Sequence, residues 1–135
     1  MHYTKTNKTL NIVLWIAQVG LAGIFIMAGF MKTFTPINEL AGSINWASDL
    51  PALIRFVGIS ELLGGIGLIF PALLKIKPVL TPIAAGALAL VMLFAIVFHL
   101  VRAEFPAILF NIVLGAVALF IAWGRSRKAP VLARA

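Results

Sequence analysis

Five polar side chains stand within or at the ends of apolar stretches of the sequence: Gln18, Lys32, Glu61, His99 and Asn111. An ionised carboxylate in hydrocarbon is costly, so Glu61 must be protonated, paired with a cation or open to a water-filled cavity. Each of these states requires a polar pocket. Lysine, histidine and glutamate can hydrogen-bond a carbonyl-bearing ligand and relay protons to it. We therefore predict that these five residues bind a ligand.

A structural role competes with this hypothesis for each of them. Glu61 could pair with Lys32, Arg55 or His99 only to fix helix packing. His99 could face the membrane interface, and Arg55 is expected to extend its charge to the surface. The amides of Gln18 and Asn111 could simply join helices. The residue types alone leave both roles open.

The elements that must position these side chains are membrane-spanning helices. The chain has 135 residues, of which 62% are apolar and 11% charged, and its mean hydropathy is +1.09. Four apolar stretches are each close to the ~20 residues that cross hydrocarbon. They cover residues 10–31, 53–74, 79–100 and 107–124. We predict one all-α integral membrane domain, residues 1–135, with no room for a separate soluble core.

Connection lengths and charge predict the topology. The turns near residues 75–78 and 101–106 are short, so consecutive helices must be antiparallel neighbours in an up-down-up-down bundle. Eight basic residues fall on one side of the bundle and three on the other, which places both termini in the cytoplasm. The eight are Lys5, Lys8, Lys75, Lys77, Arg125, Arg127, Lys128 and Arg134, and the three are Lys32, Arg55 and Arg102.

The first outer loop, residues 33–52, is long for so small a bundle. Thr35 can cap a helix, Pro36 suits its first position and Glu39 falls in its first turn, so we predict a short interfacial helix here. Its apolar stripe, beside Trp46, is expected to lie at the outer interface. A lid over an outer cavity and a structured surface loop both remain open.

Depth along the helices separates the polar residues from the cytoplasmic side. At 1.5 Å per residue, Glu61 lies about 12 Å from the outer end of its span and Asn111 about 6 Å, while Lys32 and His99 lie near the surface. Only Gln18 falls near mid-membrane. The inner half is expected to be uniformly apolar, which argues against a continuous ion path.

Glycines accompany the polar residues at helical spacing. Gly58, Gly64 and Gly65 are expected to share the face of Glu61, where another helix can come closest. The motifs are Phe25-x-x-x-Gly29-x-x-Lys32, Gly58-x-x-Glu61-Leu62-x-Gly64-Gly65 through Pro71, Phe98-His99-Leu100 to Glu104, Asn111, and Trp123-Gly124-Arg125. In their order and four-span layout they resemble the DoxX family, specifically its short bacterial membrane proteins, over nearly the whole chain.

The resemblance implies a four-helix membrane bundle. It also implies links to quinone-dependent thiosulfate oxidation and to membrane complexes that handle oxidative stress. The thiosulfate-oxidising relatives work with a second chain, which this sequence does not supply. Only the motif positions Lys32 and Glu61 are carried over from the family.

The first functional hypothesis is a membrane subunit of a quinone-linked oxidoreductase or oxidative-stress complex, which binds a quinone between Lys32, Glu61 and His99. The chain has no cysteine and no flavin or dinucleotide motif, so it is not a complete redox enzyme and needs a soluble or membrane redox partner. A bis-histidine haem would need His99 from two protomers; a homo-oligomer is left open.

Two alternatives come from other classes. A small proton-coupled transporter could use Glu61. Small multidrug resistance proteins, which are transporters of this type, place their essential carboxylate in the first span, where this chain has Gln18. A non-catalytic assembly or scaffold protein would need the polar residues only for packing. Nucleic acid is not expected as a partner, because the basic residues sit at span ends rather than along one face. The lipid bilayer is the expected surrounding.

Overall fold

The computed structural model describes residues 7–134, and over this range the chain is helical with short connections. The helices are α1 (Lys8–Phe34), α2 (Ile37–Leu40), α3 (Pro51–Leu74), α4 (Leu80–Val101) and α5 (Phe105–Trp123), and the π-helical turn Gly124–Lys128 extends α5. Helices α1, α3, α4 and the extended α5 are long and apolar enough to cross a membrane. The predicted multi-pass membrane bundle is confirmed, and the four predicted spans match these helices to within a few residues. Lys5 lies outside the described residues.

Two ends of the bundle must be distinguished. The loop end holds the connections 35–50 and 102–104, and the terminal end holds residue 7, the 75–79 turn and the segment 129–134. Helix starts are marked by local chemistry: the Asn7 side chain accepts hydrogen bonds from the N–H groups of Thr9 and Leu10, and α3 begins at Pro51. At the terminal end, α3 stops where Lys75 adopts the left-handed conformation (φ 56°).

Helices α1 and α3 are antiparallel and unusually close, because glycines line their seam. A Cβ atom added to Gly29 would lie 2.5 Å from the backbone N of Leu62, and one on Gly58 would lie 2.7 Å from Cβ of Lys32. Gly65 continues the seam against α1. Dispersion contacts between the two backbones replace the hydrophobic drive that lipid cannot supply.

Gly64 was predicted on this same face, and that placement is wrong. A Cβ on Gly64 would lie 2.5 Å from Cδ2 of Leu88, so this glycine admits α4 rather than α1. The step from Gly64 to Gly65 turns the helix by about 100°, which directs the two positions to different neighbours. Helix α3 therefore packs against two partners through adjacent glycines.

Helix α4 supplies the hydrogen bond that Pro71 cannot make inside α3. Proline has no N–H, so it cannot bond the carbonyl of Gly67 one turn earlier. The Thr81 hydroxyl donates to that carbonyl at 3.0 Å, and Thr81 is itself buried. A backbone carbonyl in a membrane must find a partner within the protein, and this contact fixes the α3–α4 hairpin near its turn.

The middle of the bundle is filled by one apolar cluster. All four long helices contribute to it, and the outward faces carry large apolar side chains suited to lipid. Its buried members are Leu21, Ala22, Phe25, Leu68, Ala85, Leu88, Met92, Leu114, Ala118 and Ile121.

The loop between α1 and α3 packs on the loop end through its own apolar cluster. Leu40, Trp46 and Ala47 are buried there against Ile54, with Phe98 beside them. The predicted short helix exists, but as the single turn of α2. The predicted Thr35 cap is wrong: Thr35 ends α1 and the residue before α2 is Pro36, which makes no side-chain capping bond.

Trp46 is buried within the protein at the loop end. It is 8% exposed, and its ring meets Phe98 edge-on at 4.9 Å between centroids. Aromatic pairs favour this geometry. The loop is thereby drawn onto the ends of the helices.

The terminal half is not uniformly apolar, contrary to the sequence expectation. Arg125 is 3% exposed and donates through Nε to Gln18 Oε1 at 2.6 Å, and through Nη1 to Asn11 Oδ1 and the Ala129 carbonyl. Its guanidinium also lies 5.2 Å from the ring centre of Trp15. This network ties α1 to the π-helical turn after α5.

The glycine seam yields a matched pair of substitutions. In Gly29→Ala, the added methyl meets backbone atoms of α3 that cannot yield, so we expect a loss of about 1–3 kcal/mol of stability. In Gly23→Ala the methyl meets no atom within 4 Å, and stability should be unchanged or slightly higher. Thermal unfolding in detergent measures both. Equal melting temperatures for the two variants would contradict the close α1–α3 packing.

Candidate functional site

The centre of the candidate site is an ion pair between α1 and α3. Nζ of Lys32 lies 3.0 Å from each carboxylate oxygen of Glu61. The Glu61 side chain is 4% exposed and that of Lys32 20% exposed. The prediction that Glu61 is buried in the bundle beside Lys32 is thus confirmed by direct contact.

The glycine seam makes this pair possible. Gly58 has no side chain to obstruct the Lys32 stem, which therefore lies against α3 and reaches Glu61 one turn further along. Arg55, a residue of intermediate exposure at the loop end, also contacts α1. Its Nη1 donates to the Lys32 carbonyl at 2.9 Å and satisfies one of the last carbonyls of α1.

A cavity of about 340 Å³ adjoins the pair between α3 and α4. Its polar groups are Lys32, Ser60, Glu61, His99 and Asn111, and Trp46 covers it from the loop end. The remaining walls are apolar, including Val57 and Val91, Met92 and Ala95. Phe56 and Phe94, both largely exposed to lipid, flank its opening. The site is an apolar chamber with polar groups on one side, as ligand pockets commonly are.

Asn111 enters this cavity from α5. It is 8% exposed, and within residues 7–134 its side-chain amide has no hydrogen-bond partner in the protein. No side-chain N or O atom of the described residues is both fully buried and unpaired, so the amide atoms of Asn111 are accessible from the cavity. Asn111 thus has both a donor and an acceptor free for a molecule in the cavity.

His99 joins the cavity to the surface at the loop end. Its Nδ1 lies 3.2 Å from Oε1 of Glu104, which also accepts from Arg102 Nε at 2.8 Å. An ionised carboxylate only accepts hydrogen bonds, so Nδ1 must carry the hydrogen. In a neutral ring this leaves Nε2 as an acceptor for a ligand hydroxyl. Arg102 further donates to Asn45 of the loop.

Four of the five predicted site residues come together here, and Gln18 does not. The amide of Gln18 donates to the Leu68 carbonyl at 2.7 Å and accepts from Arg125, towards the terminal end. Both polar ends of its side chain are occupied by protein. We therefore leave Gln18 out of the ligand set proposed below.

Sequence reasoning missed two participants. Ser60 lines the cavity, and Arg125 donates a hydrogen bond to Gln18. The spacing from Ser60 to Glu61 places neighbours on different helix faces, so Ser60 gave no signal. Arg125 followed the fourth apolar stretch and matched the pattern of a flanking basic residue.

The fold and this site define a class: a multi-pass, four-helix membrane protein with a charged centre buried at one end of the bundle. The family model of the DoxX-like family matches residues 16–121. The chain belongs to the DoxX-like family. The match includes Lys32, Glu61, His99 and Asn111 and ends before Arg125. No curated protein and no solved structure matches the chain.

Glu104 supplies a test of the surface part of the site. The hydrogen bond from His99 is the largest cause that lowers the pKa of this carboxyl below its ordinary value of 4.5; desolvation opposes it, and Arg102 lowers it further. Because the Glu104 pKa is lower in the folded state, ionised Glu104 contributes to the stability of the fold. This contribution is fully present above pH 4.5 and is lost as the pH falls through the folded-state pKa.

We expect His99→Leu and Arg102→Gln each to raise the Glu104 pKa towards 4.5, because each removes a group that lowers it. Carboxyl-carbon NMR of labelled protein in detergent measures the titration directly. The wild-type protein, titrated in the same detergent, is the control. A Glu104 titration unaffected by His99→Leu would show that the contact does not form.

Proposed function

We propose that this DoxX-like protein binds the head group of a membrane-soluble quinone in the cavity between α3 and α4. It would act as the membrane subunit of a quinone-linked oxidoreductase or oxidative-stress complex. The observation that carries the proposal is the Asn111 amide, which makes no hydrogen bond to the described protein and lines the same cavity as the Lys32–Glu61 pair. The volume of about 340 Å³ falls at the lower end of ligand pockets, as suits a single ring system.

The polar groups fit the chemistry of a quinone. Its two carbonyl oxygens need donors, and the Lys32 ammonium and the Asn111 amide supply them from different helices. In the reduced form, each hydroxyl needs an acceptor, which Glu61 and Nε2 of His99 supply. One set of residues can therefore hold both redox states with few rearrangements.

The route to the site suits a lipid-soluble ligand. The cavity opens between Phe56 and Phe94, whose rings are 68% and 64% exposed on the lipid-facing surface. An apolar tail can leave through this gap while the head stays beside Lys32. On the loop side, Trp46 separates the chamber from water.

Electron transfer requires a second protein. Reduction of a quinone to a quinol takes two electrons and two protons. Glu61 and His99 can pass protons, and Glu104 connects His99 to the surface. The electrons must come from a partner chain with a redox centre, docked at the membrane surface. The chain on its own is then a binding subunit.

The Lys32–Glu61 pair also joins α1 to α3, so a scaffold role must be separated from binding. In Glu61→Gln, the amide keeps the shape of the side chain and loses its charge. If Glu61 binds ligand, quinone affinity should fall about tenfold or more. A fall of this size corresponds to the loss of one charge-assisted hydrogen bond, which contributes about 1.5–3 kcal/mol. Because the substitution also weakens the pair that joins α1 to α3, some fall in the melting temperature is expected, and affinity is measured below the melting temperature of the variant. Glu39→Gln, which alters an exposed carboxylate, is the matched control.

The opposite result would support a scaffold. Breaking a buried pair whose only function is packing costs about 3–5 kcal/mol and would leave quinone affinity unaltered. The double variant Lys32→Met/Glu61→Leu sharpens the comparison, because an apolar replacement can preserve stability while removing the polar site. Absence of quinone binding by the wild-type protein would refute the proposal.

We also propose an inner-membrane orientation with both termini in the cytoplasm. Within the described residues, the terminal end carries Lys8, Lys75, Lys77, Arg125, Arg127, Lys128 and Arg134. All four acidic side chains of the sequence lie in the loop-end half, where three basic residues accompany them. This asymmetry supports a cytoplasmic terminal end.

The chain has no cysteine, so single-cysteine variants report the orientation without background. Ser43→Cys lies at an exposed position in the loop and Ala133→Cys at an exposed position near the C-terminus. In intact cells we expect an impermeant maleimide to label Ser43→Cys and not Ala133→Cys. Permeabilised cells, in which both should react, are the control. The inverse pattern would establish the reverse orientation.

A further inference from the structure

A second cavity lies on the other side of the ion pair. It has a volume of about 240 Å³ and is walled by α1 and α5, with Ile24 and Ala28 on one helix and Ala107 and Phe110 on the other. Six residues line both cavities. They are Lys32, Trp46, Glu61, Met92, His99 and Asn111. The polar centre therefore forms a shared wall between two chambers.

We propose that this second cavity is a second binding subsite, reached from the bilayer between α1 and α5. It would take a molecule of the same class as the first: a small ring that bears hydrogen-bonding oxygens and carries an apolar tail. This inference rests on the proposed function and adds a second bound molecule. Two lipid-soluble molecules would then bind on opposite sides of Lys32, Glu61, His99 and Asn111.

The packing of the helices accounts for two openings. Helices α1 and α3 are held together by their glycine seam, and Gly115 brings α4 and α5 together beside Met92. Between α1 and α5, the close contact is at the terminal end, where a Cβ on Gly124 would lie 2.5 Å from Cδ2 of Leu14. At the loop end the same two helices are separated by the second cavity. Helices α3 and α4 likewise approach closely further from the loop end, at Gly64 and Gly67. The space between the two helix pairs is therefore left at the loop end, where the two cavities lie.

The walls of the second cavity suit an amphipathic molecule. Phe25 and Leu114 are buried and give it an apolar floor, and Ile24 and Phe110 stand at the lipid-facing surface, 41% and 57% exposed. The unpaired amide of Asn111 borders both chambers. Its oxygen and its NH₂ group can therefore serve a head group on either side.

Trp46 provides a reporter for both subsites, because it lines both cavities. Trp15 and Trp123, the other two tryptophans, lie towards the terminal end and can be replaced by phenylalanine. In this single-tryptophan background, a short-chain benzoquinone would be titrated against fluorescence at protein concentrations above the dissociation constant. We expect quenching to saturate at two molecules per chain.

Each opening can be closed separately. Ala95 lines only the first cavity and Ala28 only the second, so Ala95→Phe and Ala28→Phe should each reduce the stoichiometry from two to one. The double variant should bind none. Ala87→Phe places the same ring on an exposed face away from both cavities and should still bind two. Ala107→Phe closes the second opening from α5 and replaces Ala28→Phe if that variant does not fold.

The outcomes separate this inference from the proposed function. Saturation at one molecule, abolished by Ala95→Phe and unaffected by Ala28→Phe and Ala107→Phe, overturns the second subsite and keeps the proposed quinone site. Two molecules bound in every folded variant would place the ligands outside both cavities and would also overturn the second subsite. Absence of binding by the wild type overturns the proposed function and the second subsite together.

Discussion

The contact between Lys32 and Glu61 is the interaction on which the loop end depends. Hydrocarbon cannot solvate a carboxylate, so Glu61 is compatible with a membrane only beside a cation or water. The cation comes from the adjacent helix because Gly58 removes the side chain that would obstruct the lysine stem. Once this pair has formed, the α1–α3 spacing is set, and a polar surface faces the space that α4 and α5 leave beside it.

The same constraint is met differently at the terminal end. There Arg125, Gln18 and Asn11 satisfy one another, and Thr81 bonds the carbonyl that Pro71 leaves without its helical partner. These groups have protein partners, which is typical of a structural network. Asn111 at the loop end is 8% exposed and makes no hydrogen bond to the described protein. That difference is the physical basis for proposing ligand binding at one end and packing at the other.

Sequence reasoning predicted the features that follow from local pattern. Apolar length predicted the four spans, and the cost of a buried carboxylate predicted that Glu61 would meet Lys32. It failed where contacts join distant segments. Arg125 resembled a flanking basic residue, and only the continuation of α5 as a π-helical turn brings it to Gln18. In the loop, the sequence pattern missed the C-terminal position of Thr35 in α1 and the contact of Trp46 with Phe98, a residue far along the chain.

The position of the charged centre bears on which functions suit the bundle. Between it and the terminal end lie Phe25, Leu68 and Leu88, all buried in the apolar cluster that fills the middle of the described chain. A transporter that uses Glu61 would have to open this packed region in every cycle, and close-packed interiors resist such change. A site that exchanges its ligand sideways with lipid requires movement only of side chains such as Phe56 and Phe94. The cluster therefore favours a binding role in one leaflet over transport across the membrane.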